Sequence, residues 1–183
     1  MTVHCYHLNM ESFYELAKNR YSCRFYSEKA VEPEVLAQIL ETGRIAPTAT
    51  NSQPVRVFVL KSEGSLAKIR EATRMVYNAP VVLMVCYDIS KSYKAEKYND
   101  PHDCGLDDAC IVATHMMLQA KDLGLETVWA RGFNAMDIEK AFEFPPELKL
   151  ACLMDLGYAD PEHGKPTPRH FQRNPVEDFA KEI

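Results

Sequence analysis

A short stretch near the start of the chain, Arg20-Tyr21-Ser22-Cys23-Arg24-Phe25-Tyr26, places two arginines on either side of a serine. In an extended chain alternate side chains point the same way, so Arg20, Ser22 and Arg24 would face one side together. The guanidinium group stays charged and binds phosphate or carbonyl oxygens through two donors. The stretch therefore predicts an anion-binding set, with a solvated surface turn as the alternative.

A second stretch, residues 46–54, is rich in Thr, Ser, Asn and Gln and carries no charge. Its amide groups donate and accept hydrogen bonds, which suits the polar edge of a heterocycle or a polyol chain. A hydrophilic loop without a ligand is the alternative. We call residues 47–53 the polar loop; it leads into a β-branched run that predicts a strand.

Several other kinds of site are excluded by the motifs that the sequence lacks. It has no G-x-x-x-x-G-K-[ST], G-x-G-x-x-G, G-x-S-x-G or H-E-x-x-H pattern. The local group His102, Asp103, Cys104, Asp107 and Asp108 lacks a second half at any usual zinc spacing, so no metal site is predicted. The net charge of -5 and the pI near 5.7 argue against nucleic acid or an anionic membrane as a partner.

Length and composition predict one domain over residues 1–183, with 46% hydrophobic residues to build a core. No apolar run reaches the length of a membrane span. Residues 1–10 show neither a basic nor an apolar region typical of a secretory signal, so a cytoplasmic protein is predicted. The six cysteines lack C-x-x-C spacing, and we expect them to be reduced.

Hydrophobic periodicity predicts an α+β fold in which helices alternate irregularly with about four short strands. The predicted helices cover 10–18, 33–43, 65–76, 106–123 and 137–142, and the predicted strands cover 55–60, 81–87, 127–130 and 151–156. The segment 88–104 is irregular and is predicted to be a lid or a variable segment. Three prolines predict an extended tail from residue 160.

The helix predicted at 106–123 is apolar almost all round, which indicates burial in the core or at a subunit interface. His115 lies on it as a lone histidine, more typical of a satisfied structural residue than of a catalyst. Met116, Met117 and Trp129 are interpreted as core residues rather than cofactor contacts.

The two stretches, in this order, resemble the nitroreductase family of flavoproteins, whose hallmark is R-x-S-x-R/K followed by S-P-S-x-x-N-x-Q-P. The residues 122–129 are similar to the family's helix-to-strand junction. Gly157-Tyr158, Pro168-Arg169 and the residues 173–178 are similar to its C-terminal section. The resemblance therefore extends from about Phe13 to Phe179.

The resemblance implies a mostly antiparallel central sheet flanked by helices, in an intertwined homodimer that binds FMN at its interface. It implies FMN contacts at Arg20, Tyr21, Ser22, Arg24, Pro47, Thr48, Asn51, Gln53, Arg131, Gly132, Arg169 and Arg173.

Individual roles follow from the same resemblance. Arg20 would bind the phosphate, Ser22 the ribityl or phosphate oxygens, and Arg24 the N1/C2=O edge, where a fixed cation favours flavin reduction. The polar loop would come from the other subunit. Backbone N–H groups at residues 131–132 would bind flavin N5 and O4. At the tail Arg173 matches a phosphate-binding residue and Arg169 is the weaker candidate.

The implied activity is a ping-pong transfer of two electrons from NADH or NADPH to a nitroaromatic, a quinone or a similar small-molecule acceptor. Because the cofactor carries the difficult step, no protein nucleophile is needed. Two departures bear on the acceptor pocket: Val55 stands where many members have Trp, and Glu126 stands where a second glycine is common. The alternatives are another reaction on the same scaffold (dehalogenation, azoline oxidation or flavin fragmentation) and a non-enzymatic flavin-binding protein.

Overall fold

The computed structural model describes residues 12–183 of the chain. Within this part there are six α-helices and four β-strands. The helices are α1 (Phe13–Asn19), α2 (Pro33–Arg44), α3 (Glu63–Ala72), α4 (Gly105–Asp122), α5 (Ala135–Ala141) and α6 (Val176–Phe179), and the strands are β1 (Val55–Leu60), β2 (Val81–Asp88), β3 (Glu126–Ala130) and β4 (Leu148–Gly157). The start of the first predicted helix and the segment 1–10 lie outside the described residues.

Local sequence signals account for several helix starts. Ser12 caps α1 by accepting a hydrogen bond from the Glu15 N–H, and Ser62 caps α3 in the same way through the Ser65 N–H. Pro33 is the first residue of α2, where its missing N–H costs no helical hydrogen bond. The predicted helices are therefore confirmed, with ends that differ by a few residues.

The four strands form one antiparallel sheet in the order β1-β2-β4-β3. The predicted mostly antiparallel sheet is confirmed. β2 lies at its centre and is buried on both faces, as its continuous apolar run predicts. The pairing of β2 with β4 shifts between Val85 and Cys86, as at a β-bulge. β4 extends beyond the predicted 151–156 at both ends.

Each face of the sheet has its own hydrophobic core. On one face α4 and α2 pack through Met116 and Ile39, and on the other α3 and α5 pack through Ile69 and Ile138. A Cβ atom at Gly43 would lie 2.6 Å from the Met116 side chain, so only glycine allows α2 and α4 to approach this closely.

One side of α4 is buried in the core, but its apolar circumference is not fully covered. Met116 is buried as predicted, whereas Leu106 and Ile111 are 46% and 37% exposed. Trp129 is only partly buried against the same core. The exposed side of α4 is thus an apolar surface without cover in the single chain.

The remaining segments are mostly irregular. In 88–104 a short 3-10 turn, Glu96–Tyr98, is enclosed by an antiparallel bridge between Lys94 and Asp103. The tail differs from the expected extended chain, because Pro168–Phe171 forms a 3-10 turn and α6 follows it. Proline fixes φ near the helical value, so Pro168 can start a turn as well as extend the chain.

Two further expectations can be compared with the described residues. Their cysteines Cys23, Cys86, Cys104, Cys110 and Cys152 are all free thiols, as predicted, while Cys5 lies outside this part of the chain. Over the same residues, no helix combines the length and the apolar character needed to cross a membrane.

Candidate functional site

The first stretch leaves α1 at Arg20 and runs beside β3 as an extended chain. Ser22 forms a parallel bridge with Thr127, and the Cys23 N–H donates to the Thr127 carbonyl at 3.0 Å. Tyr21 and Cys23 are buried against the sheet. The residues that alternate with these two buried side chains face the other side of the stretch, as the spacing predicts. They line a cleft of about 630 Å³ and are Arg20, Ser22 and Arg24.

The tail supplies the opposite wall of this cleft. The Tyr21 hydroxyl donates to the Gly164 carbonyl at 2.5 Å, and the Tyr21 ring lies 6.3 Å from that of His170 in an edge-on arrangement. These contacts bring the residues 167–170 to the first stretch, so Arg169 also lines the cleft. We call this space the arginine cleft. Tyr21 thus anchors the tail through a buried side chain.

The charges around the arginine cleft favour an anion. Burial lowers the pKa of Arg20, and the nearby Arg173 guanidinium lowers it further, whereas Glu126 opposes the shift. Arg173 lies in the next turn of the tail and donates to the carbonyls of His170 and Gln172. Guanidinium groups that are brought together in this way repel one another until an anion binds between them.

Arg24 connects the cleft to a second group of side chains. Its guanidinium lies over the Tyr77 ring at 5.6 Å, and its Nη1 donates to the Ser22 carbonyl at 3.2 Å. The Tyr77 hydroxyl donates to the Met75 sulfur at 3.4 Å. A Cβ atom at Gly132 would lie 3.2 Å from that sulfur, so Met75 connects Arg24 to the residues at the end of β3.

The two residues at the end of β3 are both exposed. Arg131 lies over the Phe133 ring at 5.0 Å and accepts a backbone hydrogen bond from the Phe133 N–H at 2.9 Å. In this turn the backbone of Gly132 lies next to the Met75 side chain. A series of contacts through Met75 and Tyr77 thus connects Gly132 to Arg24.

The polar loop lies at a different cavity of the same chain. Thr48 and Gln53 line a cavity of about 610 Å³ between α2, α4 and β1, while Pro47 and Asn51 are exposed. A single chain therefore does not bring the polar loop to the arginine cleft. The sequence prediction that this loop acts on the other subunit's cofactor stays a prediction.

Two buried acids lie on the sheet beside the first stretch. Glu126 pairs with Lys121, and burial raises the Glu126 pKa although Lys121 lowers it. Asp155 is fully buried in β4, and burial raises its pKa to about 8. Among the described residues, neither Asp155 oxygen has a hydrogen-bond partner. Burial thus favours the neutral form of Asp155.

Two other groups that the sequence singled out have the following surroundings. The Nδ1 atom of His115 lies 2.9 Å from the Ile111 carbonyl, which satisfies one ring nitrogen within α4. The ligand atoms of His102, Cys104 and Asp107 lie within 4.8 Å of one another on an exposed surface, where His102 and Asp107 form an ion pair. The prediction of no metal site stays a prediction.

The sequence analysis did not identify Met75, Tyr77 and His170, and it considered Asp108 only as a possible metal ligand. Tyr77 and Asn78 adopt left-handed backbone angles before Pro80, and this turn points Tyr77 toward Arg24. The residues Asn78-Ala79-Pro80 are typical of a turn, but such a pattern does not show where the Tyr77 side chain points.

Comparisons with known proteins agree with this architecture. The model of the nitroreductase family matches residues 17–75 and 71–158. The chain is similar to a solved nitroreductase family protein of Clostridium difficile 630, with 36% identity, a TM-score of 0.86, and coverage of 93% of this chain and 98% of that one.

Two further proteins extend the comparison. A protein of Methanothermobacter thermautotrophicus, provisionally named NADH dehydrogenase/NAD(P)H nitroreductase, is 30% identical over 151 residues, which are 79% of this chain and 75% of that protein. A provisionally named nitroreductase of Exiguobacterium sibiricum, solved in complex with FMN, shares the fold at 24% identity and a TM-score of 0.78, over 94% of this chain and 98% of that one.

The antiparallel α+β fold, with the first stretch beside β3, defines the class of protein, and the family match covers most of the chain. The chain belongs to the nitroreductase family.

Proposed function

We propose that this protein is an FMN-dependent oxidoreductase that transfers two electrons from NADH or NADPH to a nitroaromatic, a quinone or a similar small acceptor. The observation that supports it most directly is the convergence of Arg20, Arg24 and Arg169 on one cleft. The provisional name of the archaeal relative and the FMN in the structural neighbour agree with it.

The residues of the arginine cleft fit a phosphate group. Its volume of about 630 Å³ lies within the usual range for small-molecule sites. Arg20 would bind the FMN phosphate together with Arg169, and Arg173 would add positive charge from the adjacent turn. Bidentate guanidinium bonds to phosphate oxygens are strong and directional, so this cleft would fix one end of the cofactor.

The residues beyond the cleft fit the ring system. Arg24 would face the N1/C2=O edge, where its charge raises the tendency of the flavin to accept electrons. Tyr77 limits the positions open to the Arg24 guanidinium. The backbone at Gly132 would donate to the N5/O4 side, and Met75 lies between these two sets of contacts.

FMN, when bound, supplies the atom that accepts a hydride from the nicotinamide and returns two electrons to the acceptor. The chain binds the phosphate, orients the ring and keeps the charge of Arg24 in place. Donor and acceptor would use the same open site in turn, which gives ping-pong kinetics. No titratable side chain of the site has to act as a nucleophile.

We propose that the protein works as a homodimer. The apolar side of α4 carries the exposed Leu106 and Ile111, and the tail carries the exposed Phe171 and Phe179. Exposed apolar patches of this kind mark interaction surfaces. A second copy would cover them and would bring its polar loop to the cofactor.

The test is the visible absorbance spectrum of purified protein reconstituted with FMN, recorded without oxygen before and after NADPH and then NADH are added. We expect a protein-bound flavin spectrum that bleaches with one or both nucleotides and returns when a quinone or a nitroaromatic is added. Protein that does not retain FMN after gel filtration would contradict the proposal. Bound flavin that neither nucleotide bleaches would instead indicate a non-enzymatic flavin protein.

A further inference from the structure

Asp108 of α4 makes a contact that connects this helix to the polar loop. The side chain is 1% exposed, and its Oδ1 accepts a hydrogen bond from the Ala49 N–H at 2.8 Å. The two residues are 59 positions apart in the chain. The neighbouring Asp107 is exposed and pairs with His102 instead. Asp108 is thus the buried member of an acidic pair, and it faces the loop.

The polar loop has a backbone that is unfavourable by itself. Thr50, Asn51 and Gln53 have φ angles of 53°, 58° and 50°, the left-handed region that side chains other than glycine rarely adopt. The Gln53 N–H donates to the Thr48 hydroxyl at 3.0 Å, which closes the loop on itself. Residues held in such conformations persist only when surrounding contacts determine them.

Ala49 is the residue through which α4 contacts the polar loop by a hydrogen bond. Its carbonyl accepts hydrogen bonds from the Ser52 N–H and from the Thr50 hydroxyl, so it belongs to the internal bonding of the loop. Its N–H is held by Asp108. A buried backbone N–H that lost this partner would cost free energy, whatever the charge of the carboxyl group. The carboxylate of α4 therefore fixes the loop at the start of its strained part.

Burial raises the pKa of Asp108 and the charges of Asp107 and Asp103 raise it further, while the Ala49 N–H opposes the shift. The Oδ2 atom is also buried and has no hydrogen-bond partner among the described residues. A buried oxygen without a partner costs free energy. Asp108 has this buried, unpartnered oxygen while its other oxygen holds the loop through Ala49.

We infer that Asp108 is a positioning residue, whose hydrogen bond to Ala49 holds the polar loop in the conformation that contacts FMN of the partner subunit. This inference rests on the proposed function for its last step, the contact with FMN. The hydrogen bond between Ala49 and Asp108, which we call the clamp, is present in the chain without any cofactor. It can therefore be measured separately.

The experiment compares Asp108→Leu and Asp108→Asn with the wild type, and Asp107→Leu serves as the matched control. Hydrogen exchange of the Ala49 amide is measured on flavin-free protein, and FMN affinity is measured by fluorescence titration. We expect Asp108→Leu to speed exchange at Ala49 and weaken FMN binding, each by roughly tenfold or more, as for a hydrogen bond whose loss leaves a buried donor without a partner. Asp108→Asn keeps an acceptor oxygen and should restore both within about threefold.

A second variant covers the case in which Asp108→Leu does not fold. Ala49→Pro removes the donor instead of the acceptor, and it suits the first position of the short turn that follows the extended Thr48. It should weaken FMN binding by a similar factor, with no further loss when it is combined with Asp108→Asn. FMN affinity in Ala49→Pro equal to that of the wild type would overturn the inference.

The outcomes separate the inference from the proposed function. Wild-type protein that fails to bind FMN would refute the proposed function, while faster exchange at Ala49 in Asp108→Leu would still confirm the clamp. If the wild type binds FMN, and Asp108→Leu matches it in exchange and affinity, the inference is wrong. An equal effect of Asp107→Leu would indicate a general effect of the α4 terminus and would also overturn it.

Discussion

The arginine cleft and the polar loop differ in how they are prepared for a ligand. In the cleft, Arg20, Arg24 and Arg169 converge on one space, and the pKa of Arg20 is lowered by burial and by Arg173. The polar loop carries no charge, and its backbone is held in unfavourable angles by a hydrogen bond from Ala49 to Asp108. One region concentrates charge, and the other fixes a backbone shape.

The difference indicates what each region contributes to affinity. A cluster of like charges gains most from an anion and is sensitive to salt. A neutral loop contributes little long-range attraction, but its amides can read the edge of a ring. We therefore expect the cleft to determine how tightly the cofactor binds, and the polar loop to determine how well it is oriented.

The largest expected effect comes from removing two charges of the cleft. Arg20→Ala combined with Arg169→Ala should weaken FMN binding by more than roughly 100-fold, because each charged hydrogen bond contributes about 1.5–3 kcal/mol. Fluorescence titration at two salt concentrations measures this, and the salt dependence should shrink as well. Arg70→Ala, on the exposed side of α3, is the matched control. If the double variant binds FMN as tightly as the wild type, the charges of the arginine cleft do not determine the affinity for the cofactor.

A second effect concerns the buried acid beneath the first stretch. Asp155 holds its proton up to about pH 8 in the folded protein, whereas an ordinary Asp loses it near pH 3.8. Below pH 3.8 the contribution of Asp155 to the free energy of unfolding is therefore fully present. It is lost as the pH rises toward 8, by on the order of 2 kcal/mol between about pH 5 and about pH 7.

Asp155→Asn should remove this loss, and urea unfolding across that pH range measures it. Asp122→Asn, an exposed acid of α4, is the control and should keep the wild-type slope. Parallel slopes for the wild type and Asp155→Asn would show that burial does not perturb this acid. The result would sharpen the comparison, because a second buried acid on this sheet, Glu126, acts on the charge of Arg20 in the cleft.

A smaller effect is expected at the polar loop. Thr50→Asn places a residue that tolerates the left-handed region at a φ of 53°, and should raise the free energy of unfolding by about 1 kcal/mol. Thr114→Asn makes the same exchange inside α4 and should not stabilise the protein. Thermal unfolding distinguishes them. Equal shifts would mean that the loop backbone is not strained at this position.

The smallest effect is expected at the contact between Arg24 and Tyr77, at the end of the arginine cleft. Tyr77→Leu removes the ring beneath the Arg24 guanidinium and should weaken FMN binding by about twofold to fivefold, as for an exposed cation–π contact. Tyr77→Phe keeps the ring and should bind like the wild type in the same titration. A large loss in Tyr77→Phe would show that the hydroxyl contact with Met75 matters more than the ring.

The parts of the structure that follow short-range patterns could be predicted. The strand at 55–60 has the predicted bounds, and the alternation of Arg20, Ser22 and Arg24 predicted the wall of the cleft. Period and spacing are local properties of the chain, so both were visible in the sequence.

The contacts that depend on long-range packing could not be predicted. Asp108 meets Ala49 because α4 packs against α2 and β1, and Tyr77 meets Arg24 because its backbone turns into the left-handed region. The uncharged composition of the polar loop was visible, but its strain was not. Backbone angles at Thr50, Asn51 and Gln53 depend on what holds the loop, and the sequence signals only that a loop is present.

The hydrogen bond from Tyr21 to Gly164 joins residues 143 positions apart. The wall that carries Arg169 therefore meets the first stretch only through a contact between distant parts of the sequence. Loop closure over this separation costs entropy, so the contact depends on the sheet and helices that lie between the two residues. The two walls of the arginine cleft should accordingly come together late in folding.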